Sequence, residues 1–341
     1  VHCRECTDKK TWFLGELHCA QLQVPGIMPG GDLVKYRRLG STGLRVSVVG
    51  VGTWQFGGEW GKRFTQQEVD RLLARARELG INLIDSAECY GDHLSESLIG
   101  RSIKKHREDW IIATKFGHKF HSNFERTDHW SPQEVVQQLD ASLKALRTDY
   151  VDLYQFHSGS DEAFDQDDLW DMLGKQVEAG KIRYLGISIS SKHENLYQTK
   201  RATGVGASVI QVVYNRLDRR PERRVLASCR DQDLGVLVRV PLASGFLTGK
   251  YQPGTVFTNQ DDVRSLRDQN EVQKDLKLVQ RIQQTEVPEG IAMAPWALAW
   301  CLQHPAVTCV IPGCKTVEQV ESNASAANLD MVRDDHPQAL T

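Results

Sequence analysis

Trp110-Ile111-Ile112-Ala113-Thr114-Lys115, a near-continuous apolar run ending on a lysine, decides the fold. It has the length of a strand, and its lack of polar alternation says that both of its faces are covered. Seven further runs read the same way, at residues 47–52, 82–86, 151–156, 184–188, 209–214, 236–240 and 307–311. Amphipathic stretches lie between them. Residues 66–79 place Val69, Leu72, Leu73 and Ala76 on one face, and 132–146 does the same with Val135, Val136, Leu139, Leu143 and Leu146. Ser131 before Pro132 is an N-cap followed by an N1 proline, and Gly180 is a C′ glycine ending a helix over 168–179. Helices also fit 221–231 and 318–326. Eight strands, each covered by helices, predict an α/β fold of the closed (β/α)8 TIM-barrel kind rather than an open doubly wound sheet. No G-x-G-x-x-G follows the first strand, which argues against a Rossmann domain.

Working outward, Leu39-Gly40-Ser41-Thr42-Gly43-Leu44 has turn chemistry between two short alternating runs and reads as an N-terminal β-hairpin closing the barrel bottom. The barrel is expected over residues 34–328. Residues 1–33 read as a poorly ordered N-terminal extension, and 329–341 as a frayed C-terminal tail. The polar stretch 249–269 is too long for a plain βα loop and is expected to fold over the active-site mouth or to lie solvated on the surface.

With 42 basic and 44 acidic residues the formal charge is −2, so nothing marks a nucleic-acid or membrane-surface partner. No apolar run is long enough to span a bilayer, and the first 33 residues lack signal-peptide organisation. Six of the eight cysteines fall singly, a pattern of a reducing compartment rather than of a disulfide scaffold, so a cytoplasmic location is expected. Cys3 and Cys6, followed by His18 and Cys19, have the wrong spacing for a small zinc module. His118 and His121 have no matching third ligand. No metal is expected.

Barrels of this type carry their chemistry at the C-terminal strand ends. Reading those ends in order gives Asp85, Tyr90 in the loop just after it, Lys115 and His157. Singly, a strand-end lysine or histidine is more often structural, and Tyr90 alone would be a core aromatic. Together they form a chemical set. A phenol titrates near pH 10, an ammonium beside it favours the phenolate, and a carboxylate keeps the ammonium charged. An imidazole nearby can orient a carbonyl oxygen. The set suits protonation of an alkoxide formed when a cofactor delivers hydride to a carbonyl. Lys115 as the Schiff-base lysine of an aldolase is the competing reading, and Asp85 disfavours it by keeping the ammonium charged.

The segments Gly52-Thr53-Trp54, Ile84-Asp85-Ser86-Ala87-Glu88-Cys89-Tyr90-Gly91, Ile112-Ala113-Thr114-Lys115 and Asp152-Leu153-Tyr154-Gln155-Phe156-His157 resemble the aldo-keto reductase superfamily. So do Ser142-Leu143-Lys144, Pro241-Leu242-Ala243-Ser244-Gly245 with Thr248-Gly249-Lys250, and Ile311-Pro312-Gly313 with Asn323. The match runs in order over about residues 36–328. The resemblance implies a catalytic tetrad of Asp85, Tyr90, Lys115 and His157, and NADPH/NADP+ bound extended at the C-terminal face, with NADH the lesser cofactor. It implies a reductase of aldehydes and ketones with Tyr90 as general acid, or, since some members serve so, a cofactor-binding regulatory subunit of a larger assembly. The substrate would be a small carbonyl compound and the chain a monomer or weak homo-oligomer.

For the cofactor, the resemblance points to Gly52, Thr53, Trp54, Ser188 and Gln211, the last as the nicotinamide carboxamide contact. Ile189 stands where most members have an asparagine, and Arg239 where most have a stacking aromatic. The bacterial-type run Arg239-Val240-Pro241-Leu242 leaves an Arg plane or a pyrophosphate contact as the substitute. Pro241, Leu242, Ser244, Gly245 and Lys250 are expected at the pyrophosphate. Gly313, Lys315, Thr316, Gln319 and Asn323 open the last helix, whose N-terminus favours a phosphate, with Lys315 at the 2′-phosphate. Trp54, Phe116, His118, Phe120 and His121 are expected on the substrate side, and Cys89 as a small buried thiol.

Overall fold

The computed structural model describes residues 34–190 and 196–340. The Cys3–Cys6 segment and the extension expected over 1–33 lie outside the described residues. The strands are β1 (Tyr36–Arg38), β2 (Arg45–Ser47), β3 (Val51–Gly52), β4 (Leu83–Asp85), β5 (Ile111–Phe116), β6 (His118–Ser122), β7 (Glu125–Asp128), β8 (Val151–His157), β9 (Ile182–Ser188), β10 (Ala207–Val213), β11 (Gly235–Arg239) and β12 (Cys309–Val310). The α-helices are α1 (Gln66–Glu78), α2 (Leu94–Ile103), α3 (Pro132–Leu146), α4 (Asp161–Phe164), α5 (Asp167–Glu178), α6 (Leu196–Arg201), α7 (Val225–Asp231), α8 (Gln269–Thr285), α9 (Met293–Leu302) and α10 (Val317–Ser325).

Eight strands, β3, β4, β5, β8, β9, β10, β11 and β12, lie side by side in that order, all parallel. Parallel bridges Val49–Val310 and Gly52–Gly313 bring the last strand back to the first. Three backbone bonds hold this seam: Gly50 to Val310 at 2.8 Å, Val310 to Val48 at 2.9 Å and Gly52 to Pro312 at 3.0 Å. This is the (β/α)8 barrel that the apolar runs predict. Leu83, Ala113, Leu153, Val209, Leu237 and Cys309 fill its interior, and Leu39 from the turn of the β1–β2 hairpin joins them as a plug at the bottom. Gly235 has no room for a side chain because Leu39 occupies that space, 2.6 Å from where its Cβ would stand.

The helix starts follow the sequence signals. Thr65 and Ser131 each close a capping box, with Glu68 and Glu134 reaching back, and Pro132 sits in the first turn. Gly180 follows the C-cap of α5 at a φ of 75°. The structure differs at the barrel seam: of the run expected over 47–52, Ser47 belongs to the hairpin, Val49 joins the barrel through an isolated bridge, and the strand proper is Val51–Gly52. A turn of 3₁₀ helix at Arg220–Arg223 precedes α7, so the helix expected from 221 begins at Val225.

The tail expected to fray from Leu329 is instead pinned beneath the hairpin. Arg38 N–H donates to the Gln338 carbonyl at 2.7 Å, Leu340 N–H to that of Tyr36 at 3.1 Å, and Thr308 Oγ1 to Gln338 Oε1 at 2.6 Å. His336 and Gln338 are buried there. Among the described residues no helix is long and apolar enough to cross a membrane.

Candidate active site

Asp85 closes β4, Lys115 is the fifth residue of β5 and His157 ends β8, so register alone brings them to one rim. Tyr90 lies in the tight turn after β4, held by its N–H to the Ala87 carbonyl. Gly57 presses on that turn: a Cβ there would stand 2.6 Å from the Tyr90 carbonyl carbon, so only glycine lets the two loops meet. Lys115 is fully buried. Its Nζ donates to Asp85 Oδ2 at 2.8 Å, to the Ser86 carbonyl at 2.6 Å and to Tyr90 Oη at 3.4 Å. The other carboxylate oxygen of Asp85 accepts from Gln155 Nε2 at 3.1 Å and Gln211 Nε2 at 2.6 Å. The His157 ring stands edge-on to Tyr90 with 6.3 Å between centroids. The four predicted residues are therefore together.

Their charge states follow from burial and neighbours. Lys115 is buried, which opposes its charge, yet its pKa is raised, first by the Asp85 carboxylate, so it stays an ammonium. Burial pushes Tyr90 up to about 12. Lys115 pulls the other way but loses, so the expected net lowering of the phenol is overturned and Tyr90 holds its proton. Burial, with His118 and Lys115 adding repulsion, drives His157 well below the usual histidine range and leaves a neutral imidazole. The site thus holds a phenol that can donate, a fixed cation behind it and an uncharged imidazole beside it.

A cavity of about 950 Å³ opens over this group. Asp85, Tyr90 and His157 line it, as do Gly52, Thr53, Trp54, Gln211, Arg239, Pro241, Leu242, Ser244, Gly245, Lys250, Gly313, Lys315, Gln319 and Asn323 of the predicted cofactor shell. Ser188 and Thr316 do not. Ser188 Oγ donates to Gln211 Oε1 at 3.3 Å from behind, and Thr316 is the N-cap of α10. Gln319 Oε1 accepts from Lys315 N–H at 2.7 Å and Thr316 Oγ1 from Gln319 N–H at 3.3 Å. That end of α10, expected to offer amides to a phosphate, is partly satisfied from within. The amides of Ala243, Gly245 and Leu247 are likewise engaged inside their own turn. Ile189, in the place of the usual asparagine, is buried in the core, and Ser190 lines the cavity instead.

Charge compensates for the occupied amides. Lys315 is pushed below the ordinary lysine range by burial and then by Arg264, Lys250 and Lys62; Lys250, Arg264 and Lys315 line the cavity, and Lys62 donates to the Lys315 carbonyl at 3.1 Å. Arg239 lines it too, and its buried Nε has no partner. Clustered positive charge and an orphaned buried donor fit a dinucleotide carrying a pyrophosphate and a polar ring. Sequence reasoning gave no site role to Lys62 or Arg264. Arg264 belongs to the stretch 249–269, which does fold over the mouth: Asp262 bridges to Trp60, and Arg264 binds Asp262 and Tyr251.

On the substrate side, Trp54 stacks near Tyr90 at 6.1 Å, and His118 lines the cavity. Phe116, Phe120 and His121 do not line it. Phe116 faces outward into the core beside Tyr154 and Phe156, and His121 turns to Thr127 across the β6–β7 hairpin. Arg126 and Asp128 of that hairpin line the cavity in their place. One buried carboxylate, Glu59, ties the mouth together. It accepts from Trp54 Nε1, from Arg126 Nη2 and from the Phe124 N–H at 3.0 Å, and its carbonyl accepts from Val263 N–H at 3.0 Å.

A closed (β/α)8 barrel with a buried Asp–Lys pair bonded to a tyrosine, and a histidine, at its C-terminal rim is the architecture that the sequence resemblance implied. The chain belongs to the aldo/keto reductase family, whose model matches residues 48–339, and it is thereby an oxidoreductase by class. It is 35% identical over 269 residues to the aldo-keto reductase yakc [NADP(+)] of Schizosaccharomyces pombe, covering 76% of this chain and 78% of that protein. It is 29% identical to a probable voltage-gated potassium channel subunit beta of Arabidopsis thaliana, covering 87% and 92%. Among solved structures, the holo form of aldo-keto reductase AKR11C1 from Bacillus halodurans is similar with a TM-score of 0.72 and 29% identity, over 87% of this chain and 91% of that one.

Proposed function

We propose that the protein reduces aldehydes and some ketones to alcohols with NADPH, Tyr90 acting as general acid. The single observation that carries this reading is the buried Lys115 bonded to both Asp85 and Tyr90. When bound, the nicotinamide cofactor supplies the hydride. The chain's own residues do the rest. Tyr90 donates its proton to the oxygen of the reduced carbonyl, and Lys115 stabilises the phenolate left behind. Asp85 keeps Lys115 charged and placed, while the neutral His157 orients the carbonyl oxygen. Trp54 and Trp60 cover the mouth with aromatic surface, which excludes water from the proton transfer. Gln211 and Arg239 would hold the nicotinamide end, and Lys250, Arg264 and Lys315 the phosphates, which favours NADPH over NADH. The substrate is a small carbonyl compound, neither nucleic acid nor membrane is a partner, and the chain works in the cytoplasm as a monomer or weak homo-oligomer.

Loss of nicotinamide absorbance with a panel of aldehydes tests the reading. Tyr90→Phe should cut kcat by about 10²–10⁴ while NADPH affinity stays within a few-fold; retained turnover would remove Tyr90 as the acid. The channel-subunit name of the Arabidopsis relative supports a second reading, a cofactor-binding regulatory subunit. Tryptophan quenching by NADPH without turnover of any aldehyde would favour it.

A further inference from the structure

We propose that Glu88, Cys89 and His157 form a binding site for a thiophilic divalent cation of the zinc class, and that its occupancy withdraws His157 from the carbonyl. The second half rests on the reductase reading above; the first does not.

The starting point is a carboxylate that the proton transfer leaves unused. Glu88 is 3% exposed. Its Oε1 accepts from the His118 N–H at 3.0 Å, while the buried Oε2 has no partner. An orphaned buried carboxylate oxygen is rare in folded proteins and calls for a cation or a donor. Beside it, Cys89 Sγ stands 3.8 Å from His157 Nδ1. A carboxylate oxygen, the thiol sulfur and an imidazole nitrogen all lie within 4.8 Å of one another, and among the described residues no other His, Cys, Asp or Glu trio comes so close.

The donor set decides the ion. One sulfur, one nitrogen and one oxygen suit zinc, cobalt(II) or cadmium rather than magnesium or calcium, which take oxygen shells. Bonds of about 2.0–2.3 Å place tetrahedral ligand atoms about 3.5 Å apart, so small side-chain rotations close the set. Cys89 and His157 both line the cavity, which gives the ion its entry path and leaves the fourth position to water. Binding is not redox chemistry. The sulfur–metal bond forms as the Cys89 proton leaves to solvent, and the ion keeps its charge. Lys115, Arg126 and Arg239 repel the incoming cation, which makes the site reversible rather than structural.

Cobalt(II) titration tests the site. The parent should be the full chain with Cys3→Ser, Cys6→Ser and Cys19→Ser, so that these thiols cannot take the ion. One equivalent of cobalt should give a thiolate charge-transfer band with tetrahedral d–d absorption, and zinc should bleach both. Cys89→Ser, checked for an unchanged Tm, should abolish the charge-transfer band, and Glu88→Gln should shift the titration to higher cobalt. No band in the parent, or a band surviving Cys89→Ser, overturns the site. Zinc at one equivalent should abolish aldehyde reduction, and a chelator should restore it; binding with turnover intact overturns the withdrawal of His157. A parent that reduces no aldehyde defeats the reductase reading, while the cobalt titration still decides the site.

Discussion

Replacing Asp85 with Asn changes one charge and almost no volume, so its effects can be worked from the geometry. Oδ2 faces the Lys115 ammonium at 2.8 Å, while Oδ1 faces two amide donors, Gln155 Nε2 at 3.1 Å and Gln211 Nε2 at 2.6 Å. An asparagine offers one acceptor and one donor. Whichever way it turns, its NH2 points at a donor, either the ammonium or the glutamine pair. The ammonium also loses its compensating charge in a fully buried place. Breaking a buried pair by removing one partner costs about 3–5 kcal/mol. At roughly 2 °C per kcal/mol for a domain of this size, Tm should fall by about 6–10 °C.

Lys115 owes its raised pKa first to Asp85, so in Asp85→Asn it releases its proton at lower pH. Tyr90 then donates with no charge behind it, and kcat for reduction should fall by about 10²–10⁴. NADPH affinity should change much less, because Lys250, Arg264 and Lys315, the cations proposed to hold the phosphates, make no hydrogen bond to Asp85. Thermal unfolding followed by circular dichroism, steady-state rates and NADPH fluorescence titration measure the three quantities. A Tm within about 2 °C of the parent, a shift worth only 1 kcal/mol, would refute the buried pair as the organiser of the site.

Two further outcomes are expected. Lys315→Ala should weaken NADPH by about 10–100-fold, the worth of one charged hydrogen bond, and leave NADH nearly unchanged; equal loss for both cofactors in a fluorescence titration would move the 2′-phosphate elsewhere. Burial holds His336 down at about 4, against about 6.5 in an unfolded chain. The unfolded state therefore takes up the proton first, so stability is full above about pH 6.5 and declines as pH falls towards 4. Unfolding between pH 7 and 4 checks this, and His336→Asn should flatten the decline.

What the sequence revealed followed from pattern strength. The strands that became β4, β5 and β8 are short, largely apolar runs with Asp85, Lys115 and His157 at or beside their ends, so reading those ends brought the candidates together, while their role as a tetrad came from the resemblance. Helix α9 was not legible because it is apolar on every side: eight of its ten residues are buried, so no amphipathic phase marks it. The tail was misjudged for the opposite reason. Its anchors are His336, Gln338 and backbone groups, which look like solvent-facing text until the hairpin offers partners. Lys62, Arg126 and Arg264 were invisible because their role arises only where three loops meet, and no local spacing records that meeting. Nor could a residue-by-residue resemblance show that Ile189 is buried while Ser190 lines the cavity.

The Glu59 carboxylate has an evolutionary consequence. It joins an indole from the first βα loop, a guanidinium and an amide from the β6–β7 hairpin and, through its carbonyl, the stretch around Val263. These segments come from three distant places in the chain, so the mouth cannot be remodelled one loop at a time. A change in the hairpin that displaces Arg126 leaves a buried negative charge whose search for another partner disturbs Trp54, and with it the face against Tyr90. Diversification of this barrel towards new ligands should therefore proceed by paired substitutions across loops, with Glu59 itself the last residue to change.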